Sequence, residues 1–256
     1  MAEELPNVQD YPPMTEDEEH ALRESLRELS ELGTSRLGLG DLLTRVASYA
    51  VRAIPGADGA GLTLLEDDRP NTIVATTGFV SQIEDIQYSM GEGPCITAAR
   101  AATTVLSGSL GADARWPRFG GAVARLGVHS VVSLPLSTPD GIVGSMNVYA
   151  RGKHAFDDRA AELGEIFAVP AAVAVQNAQV LAQTQRLAAR LQSALETRGV
   201  IDRAVGIIMS RSGATEIEAL NRLRTLSQQQ HHKLSDVARQ IVDEAVRRAQ
   251  ARNRVT

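Results

Sequence analysis

The sequence has only one cysteine, Cys95, among its 256 residues. A single cysteine excludes an intramolecular disulfide and a metal cluster built from cysteines, so a reducing cytoplasm is the simplest location. Long hydrophobic runs are also lacking. The longest, at 166–175, has ten residues and contains Pro170, whereas a membrane-spanning helix needs about 20. The N-terminus, MAEELPNVQD, is acidic without an apolar stretch. We therefore expect no secretory signal and no contact with a membrane.

Aromatic residues are scarce, at 4%, and none follows Phe167. The base stacking that sheet-based RNA-binding proteins use is therefore not available to the C-terminal part of the chain. The sequence shows no Ser-His-Asp arrangement and no phosphate-binding loop, which predicts no catalytic residues and no cofactor motif. It also predicts no metal site, because metal-ligand spacing is not found among the five histidines, which are His20, His129, His154, His231 and His232.

Charge is unevenly distributed. The whole chain has 26 basic and 31 acidic residues, a net charge of −5. Residues 186–256 hold 13 of the basic and 7 of the acidic residues, which gives +6 and leaves −11 for the rest. An acidic body with a basic tail predicts contact with nucleic acid, or with another acidic surface, at one end only.

The N-terminal region combines a leader with two helices. Residues 1–14 contain three prolines and no periodicity, which predicts a flexible leader. Thr15 and Glu18 have the spacing of a capping box, which predicts the start of a first helix. Asp41 is placed to cap a second helix.

Four short apolar and β-branched runs predict two antiparallel hairpins, the first around a charged turn at 66–71. Two helices are predicted between the hairpins, a short one at 91–95 and a longer one at 115–126. This order indicates an α+β domain around an antiparallel sheet. The strand runs are 60–65 with 72–77, and 130–135 with 142–149.

Residues 157–211 predict one long helix with a regular apolar stripe. Along the stripe, spacings of three and four residues alternate over fourteen positions, ten of them apolar and not proline. This pattern resembles a coiled-coil seam and predicts a homodimer through the long helix. A single helix packed on its own domain stays open as the alternative. The positions are Leu163, Ile166, Pro170, Val173, Asn177, Val180, Thr184, Leu187, Leu191, Ala194, Arg198, Ile201, Val205 and Ile208.

The last segment predicts a small helical bundle. Thr215 and Glu218 form a second capping box, and Ser235 is placed to cap a final helix. The apolar face predicted for the middle helix consists of Ile217, Leu220, Leu223 and Leu226.

This C-terminal segment resembles an ANTAR domain, the RNA-binding module of bacterial transcription antiterminators. The resemblance places that domain at 191–252. It departs from the family pattern at Val205, often lysine in the family, and at His231, commonly asparagine. The residues that carry the resemblance are Ala194, Leu195, Arg198, Ile201, Ala204, Gly206, Met209, Ala219, Leu223, Arg224, Ser227, Lys233, Leu234, Asp236, Val237 and Ala238.

The preceding region resembles a GAF sensor domain of the kind fused to ANTAR domains in actinobacteria, which we place at 15–180. GAF domains that reduce free methionine sulfoxide use several cysteines, so the lone Cys95 argues against that activity. The residues that carry the resemblance are Gly91 to Cys95, Asp113, Arg115, Trp116, Pro117, Phe119, Gly127 to Ser130, Pro135, Leu136, Gly144, Asn147, Val148, Tyr149, Phe156 and Asp157.

The two resemblances imply a non-enzymatic, cytoplasmic dimer whose sensor controls binding to stem-loops in nascent leader mRNA. Holding those hairpins prevents terminator formation, so RNA polymerase, an indirect partner, reads through. Two alternatives stay open: a ligand-sensing scaffold whose helical tail binds a protein partner, and a DNA-binding regulator, since three helices can imitate a helix-turn-helix.

Candidate site residues fall into two groups. Three residues are candidates for a sensor pocket that takes a small-molecule ligand of unknown identity: Cys95, Trp116 and His129. For Cys95, a structural role, redox sensing and covalent cofactor attachment all stay open, while packing is the alternative for Trp116. We expect the stem of Arg198 to be partly packed and Lys233 to project from a turn. The RNA-binding candidates are Arg198, Arg203, Arg222, Lys233, Arg239 and Arg248.

Overall fold

A computed structural model of the protein describes residues 14–32, 37–66 and 69–253. The predicted leader at 1–14 therefore lies outside the described residues, except for its last residue. The chain divides into two compact units, Met1–Ala182 and Gln183–Thr256. The helices are α1 (Glu16–Leu32), α2 (Leu39–Ala53), α3 (Gly78–Met90), α4 (Pro94–Ala101), α5 (Pro117–Arg125), α6 (Asp158–Ser212), α7 (Glu216–Gln230) and α8 (Leu234–Asn253).

The first unit is built on a five-stranded antiparallel sheet in the order β2-β1-β5-β4-β3. The expected α+β class is confirmed, and both predicted hairpins are present, as β1 with β2 and β4 with β5. The predicted bounds of the charged turn, 66–71, are too wide, because the strand pairing continues to Glu66 and Arg69. The strands are β1 (Gly59–Glu66), β2 (Arg69–Ala75), β3 (Val105–Ser107), β4 (Ser130–Thr138) and β5 (Gly141–Ala150).

The two faces of the sheet differ in chemistry because successive side chains of a strand point to opposite sides. One face, which we call the inner face, is mostly apolar and packs with α1, α2 and the N-terminal part of α6 in one hydrophobic core. The other, outer face packs with α3, α4 and α5 in a second core, around Tyr149, Trp116 and Phe119. The residues of the inner face are Ala60, Leu62, Leu64, Val132, Leu134, Leu136, Met146 and Val148.

Helix α3 and strand β3 of the first unit were not predicted. Helix α3 buries Val80, Ile83, Glu84 and Gln87, so half of its buried face is polar and gives no apolar helical pattern. Strand β3 is only three residues long. The helix predicted at 91–95 begins later, at Pro94, because Gly91 adopts a left-handed conformation (φ 66°) and ends α3.

Both capping boxes are confirmed, with Thr15 and Glu18 bonding each other's backbone N–H at 3.0 and 3.3 Å, and Thr215 and Glu218 doing so at 2.9 and 3.4 Å. The other two cap predictions are wrong. Helix α2 begins at Leu39, so Asp41 lies in its first turn, and α8 begins at Leu234, so Ser235 lies inside that helix.

The second unit has a small core in which three helices each supply two residues and Ala214 is the seventh. Such a core is thin, as expected for a unit of this size. The predicted apolar face of α7 is partly wrong: Leu223 is buried, whereas Ile217 is 74% exposed and Ala219 takes the buried position. The helix residues of the core are Ala204 and Val205 from α6, Ala219 and Leu223 from α7, and Val237 and Ala238 from α8.

The long helix α6 confirms the predicted helical segment and leaves much of its apolar stripe on the surface. Every residue from 183 to 196 is exposed in the single chain, including Leu187 and Leu191 at 57% and 58%. Within the described residues, α6 is also the one helix long and apolar enough to span a membrane by length and composition. This is weak support for a membrane span, because core helices of soluble proteins pass the same test.

Candidate functional site

A row of polar side chains crosses the outer face of the sheet. Thr63 on β1 pairs with Ser145 on β5, and Ser133 on β4 pairs with Asn147 on β5. All four residues are buried. The Ser133 hydroxyl donates to Asn147 Oδ1 at 2.6 Å. Because these residues alternate with Leu62, Leu134, Met146 and Val148, the same alternation builds the apolar inner face and this polar row.

Helix α3 places a fully buried carboxyl, Glu84, on this row. Its Oε1 accepts hydrogen bonds from Asn147 Nδ2 at 2.8 Å and from the Tyr149 hydroxyl at 3.1 Å, and its Oε2 accepts one from Gln87 Nε2 at 3.1 Å. Burial raises the pKa of Glu84 to about 7, although the three donors act in the opposite direction. The carboxyl therefore changes its protonation state near neutral pH.

The network continues from Gln87 to the start of α4. Gln87 Oε1 accepts a hydrogen bond from the backbone N–H of Cys95 at 3.1 Å, and Cys95 Sγ lies 3.2 Å from the Tyr88 hydroxyl. Burial raises the pKa of both the Cys95 thiol and the Tyr88 hydroxyl. A thiol in this environment stays protonated at neutral pH, which favours the structural interpretation of Cys95 over a reactive one.

Two positions next to this network have no room for a side chain and are occupied by glycine. A Cβ on Gly61 would lie 2.6 Å from Glu84 Oε1, and a Cβ on Gly93 would lie 2.3 Å from Gln87 Oε1. Gly93 also has φ 151°, a conformation that residues with a side chain rarely adopt.

We expect Gly93→Ala to destabilise the first unit by more than Gly91→Ala. Both glycines have positive φ, a strain of about 1–3 kcal/mol each for alanine, but nothing lies within 4 Å of a Cβ on Gly91. Only Gly93→Ala must also displace Gln87. Urea unfolding followed by Trp116 fluorescence measures the difference, and equal losses for the two variants would contradict the described packing of Gln87.

A cavity of about 910 Å³ opens beside the polar row, between the outer face and helices α3 and α4. The hydroxyls of Thr63 and Ser145 are buried and have no hydrogen-bond partner among the described residues. The Thr63 hydroxyl interacts with the Tyr88 hydroxyl, and the Ser145 hydroxyl interacts with the Cys95 thiol. Each interaction acts to lower the pKa of its neighbour but does not reach hydrogen-bond geometry. The lining consists of Thr63, Leu65, Ile73, Tyr88, Gly91, Cys95, Ile96, Ala99, Arg100 and Ser145.

Of the three sensor candidates, only Cys95 lines this cavity. Trp116 is buried in the outer-face core, donates from Nε1 to the Thr97 hydroxyl at 3.0 Å and lies under Arg115, whose Cζ is 4.3 Å from the ring centre. His129 is half-buried, and its backbone pairs with Leu110 and Ala150. Trp116 and His129 are therefore not cavity residues, and the packing interpretation of Trp116 fits its contacts.

Arg115 in turn fixes the loop before α5. Its guanidinium holds the Asp113 carboxylate through two hydrogen bonds of 2.9 and 2.7 Å, and the Ser107 hydroxyl donates to the same carboxylate at 2.7 Å. These bonds, led by Arg115, lower the pKa of Asp113 to about 2. The resemblance residues Asp113, Arg115 and Trp116 thus form a structural cluster.

The sequence interpretation missed Glu84, Tyr88, Thr63 and Ser145. A signal for part of this site was present, since Ser133, Ser145 and Asn147 interrupt strands that are otherwise apolar. Glu84 could not be found in that way, because its helix has no clear apolar period.

All six basic candidates of the second unit are exposed, on α6, α7 and α8 and in the turn before α8. In the single chain the Arg198 side chain is 82% exposed, with Nε 3.8 Å from Asp202 Oδ2, and the expected packing of its stem at the dimer seam stays a prediction. Arg203 donates to the Gly199 carbonyl at 3.0 Å, and Arg248 pairs with Glu244. Lys233 and Arg239 form no hydrogen bond or ion pair through their side chains with the described residues.

The turn that carries Lys233 is well defined. His231 ends α7 in a left-handed conformation, and the Ser227 hydroxyl donates to the His232 carbonyl at 2.6 Å. The Lys233 carbonyl accepts from Asp236 N and Val237 N at 2.9 and 3.2 Å. The backbone at Lys233 is therefore fixed, while its side chain projects into solvent as expected. In the described residues, histidines, cysteine and carboxylates form no group of three or more that could bind a metal ion.

Comparisons with known structures give similarity at low identity. The GAF domain of a phosphoenolpyruvate-protein phosphotransferase from Coxiella burnetii shares 16% identity, at a TM-score of 0.48, over 63% of this chain and 96% of its own. Free methionine-R-sulfoxide reductase from Neisseria meningitidis, in complex with its substrate, shares 17% sequence identity at a TM-score of 0.48, over 66% of this chain and 96% of its own. The GAF domain from the Acinetobacter phosphoenolpyruvate-protein phosphotransferase shares 14% sequence identity at a TM-score of 0.46, over 65% of this chain and 97% of its own. No curated protein matches the chain.

Family models match both parts of the sequence. The GAF domain model covers residues 37–176, which include the sheet, the cavity and the Glu84 network. The ANTAR domain model covers residues 189–242, which include the core of the second unit and Lys233. The GAF match spans more than half of the 256 residues. The chain therefore belongs to the GAF domain family and carries a C-terminal ANTAR domain.

Proposed function

We propose that this protein is a signal-regulated, RNA-binding transcription antiterminator. The observation that carries the proposal is the joining of a GAF domain at 37–176 to an ANTAR domain at 189–242 in one chain. The ANTAR domain binds stem-loops of nascent leader mRNA and prevents formation of a terminator, and RNA polymerase is affected indirectly. The exposed basic side chains of the second unit support this role, since phosphate attraction supplies much of the affinity for nucleic acid.

The GAF domain supplies the regulation. Its cavity has apolar walls and a few polar groups, the composition that is typical of small-molecule sites. Helix α6 contributes Leu163 and Phe167 to the core of the first unit and Ala204 and Val205 to the core of the second. A change in the first core therefore has a continuous helix through which to affect the second.

The protein acts as a homodimer through α6. Exposed apolar residues at seam positions, among them Val173, Leu187 and Leu191, form a stripe that a single chain leaves in water. Burying each leucine on a partner helix contributes about 1.5–3 kcal/mol. Asn177 is exposed within the same stripe, where a polar residue can fix the register of two helices.

The protein is not an enzyme and works in the cytoplasm, away from membranes. The thiol of Cys95 is buried, hydrogen-bonded and raised in pKa, and no second cysteine exists to resolve an oxidised form. This chemistry does not suit the reduction of methionine sulfoxide.

Gel shifts with three probes test the proposal: a leader RNA with paired hairpins, the same RNA with its stems disrupted, and duplex DNA. We expect a preference for the paired hairpins. Preference for the duplex would support the DNA-binding regulator instead. If the protein binds none of the probes, with or without a bound cavity ligand, the antiterminator proposal is wrong and the protein-binding scaffold replaces it.

We expect Lys233→Ala to weaken binding to hairpins of different sequence about equally and to lower the log–log salt slope by roughly 0.7 to 0.9. The physical reason is the loss of one phosphate contact from a fixed turn. Lys153→Ala is the matched control, since Lys153 is the other lysine of the chain and is exposed in the first unit. Equal effects of the two variants would show that Lys233 does not contact RNA.

Amine-reactive footprinting provides an independent check, because Lys153 and Lys233 are the two lysines of the sequence and their labelling can be compared directly. Bound RNA should protect Lys233 and leave Lys153 unchanged. Arg198→Ala should also weaken RNA binding. Circular dichroism distinguishes loss of an RNA contact, with unchanged helicity, from loss of helix packing at this seam position.

A further inference from the structure

We propose that the cavity of the GAF domain binds a small monocarboxylic acid with an apolar body and a second hydrogen-bonding group, such as a hydroxyl, at its far end. The proposal rests on the proposed function, because it names the ligand class of the same sensor site. It is carried by the juxtaposition of Arg100, apolar walls and two unpartnered hydroxyls around one cavity.

Arg100 marks the mouth of the cavity. It lies in the last turn of α4, it is exposed, and its side chain forms no ion pair or hydrogen bond with the described residues. Two arginines beside the outer-face helices are engaged, Arg115 with Asp113 and Arg118 with Glu92, whereas the exposed Arg125 of α5 does not line the cavity. Among the residues that the structure describes, no aspartate or glutamate lines the cavity. An anion at Arg100 therefore gains an unused cation and meets no carboxylate in the lining.

Thr63 and Ser145 mark the floor. Both are 1% exposed, both line the cavity, and neither hydroxyl has a hydrogen-bond partner among the described residues. A buried hydroxyl without a hydrogen-bond partner destabilises the ligand-free protein, so a ligand group that satisfies both hydroxyls gains affinity. The two residues are cross-strand partners, so one polar ligand group can reach both of them.

The walls between mouth and floor are apolar, formed by Leu65, Ile73, Ile96 and Ala99. They favour a hydrocarbon body. A single arginine fits the single charge of a carboxylate, whereas a phosphate ester would leave a second charge without a cation. The α4 N-terminus does not serve as an anion site, since the Cys95 N–H is already bonded to Gln87.

Calorimetry on the full chain tests the ligand class with a defined series. The probes are ω-hydroxy acids from 4-hydroxybutyrate to 8-hydroxyoctanoate, the corresponding fatty acids and amides, hexylammonium and hexyl phosphate. We expect at least one ω-hydroxy acid to bind more tightly than its fatty acid, and the matching amide to bind about 10- to 100-fold more weakly than the acid.

Arg100→Gln should reduce carboxylate affinity by about 10- to 100-fold. The matched control, Arg125→Gln, removes another exposed arginine that does not line the cavity and should leave affinity unchanged. Thr63→Val should abolish the advantage of the ω-hydroxyl group while leaving fatty-acid binding intact. Because valine replaces the hydroxyl with a methyl group of similar size, the stability of the ligand-free protein should not fall.

Three results would overturn the inference: no acid of the series binds at about 10 mM, the amides or hexylammonium bind as tightly as the acids, or hexyl phosphate binds best. RNA gel shifts on the same samples separate this outcome from failure of the proposed function. Hairpin binding without carboxylate binding rejects the ligand class alone. Carboxylate binding by a protein that ignores hairpin RNA supports the site and rejects the antiterminator.

Discussion

The double substitution Leu187→Glu with Leu191→Glu should convert the protein from dimer to monomer. Both leucines occupy seam positions of α6 and are more than half exposed in the single chain. A homodimer buries four of these side chains, each at about 1.5–3 kcal/mol, and the substitution would place four unpaired carboxylates there instead. The expected weakening of dimerisation exceeds about a thousandfold. Sedimentation at low micromolar concentration measures it.

A matched control adds the same two carboxylates to α6 at positions outside the seam. Gln185→Glu with Ala189→Glu has the same four-residue spacing on α6 and adds the same charge, yet neither position belongs to the apolar stripe. This variant should remain dimeric. If the leucine variant is also dimeric, α6 is not the interface. If the control is monomeric too, added charge rather than the seam explains the result.

Glu84→Gln should remove a large part of the pH dependence of stability of the first unit. Glu84 has a pKa of about 7 when folded, against 4.5 for the unfolded reference. Its raised pKa means that the folded state binds the proton more tightly. The stabilisation is therefore fully present below about pH 4.5 and is lost as the pH rises through 7. At about 1.4 kcal/mol per pKa unit, the wild type should lose about 2–3 kcal/mol from this group between pH 5 and 8.

The measurement is urea unfolding at several pH values, followed by fluorescence of Trp116. Trp116 is the only tryptophan, and it is buried in the first unit, so the signal reports that unit. The difference in unfolding free energy between Glu84→Gln and wild type should shift by about 2–3 kcal/mol in favour of the variant from pH 5 to 8.

Gln82→Ala serves as the control for this titration, since Gln82 is an exposed, uncharged residue of the same helix α3. Its difference from wild type should stay nearly constant with pH. A constant difference for Glu84→Gln as well would show that Glu84 keeps the same protonation state over this range, which contradicts the role of burial described above.

The sequence alone determined the local structure where a short-range pattern has one physical solution. Thr15 and Glu18, like Thr215 and Glu218, form capping boxes because the spacing itself brings donor and acceptor together. The two hairpins followed from alternating runs around turns, and the long helix followed from its uninterrupted period. The family motifs also indicated GAF and ANTAR domains, which the family models confirm.

Only the tertiary structure decided which distant side chains meet. Asn147 donates a hydrogen bond to Glu84, which lies 63 positions earlier in the sequence. Glu84 is on helix α3, which was not predicted because half of its buried residues are polar. Trp116, a candidate for the pocket, donates a hydrogen bond to Thr97 instead, while Ser145 and Thr63, of which Thr63 gave no local signal, line the cavity. Alternation along a strand shows which residues share a face of the sheet. Which helix covers that face, and which polar groups it leaves without partners, depends on packing between segments far apart in the chain.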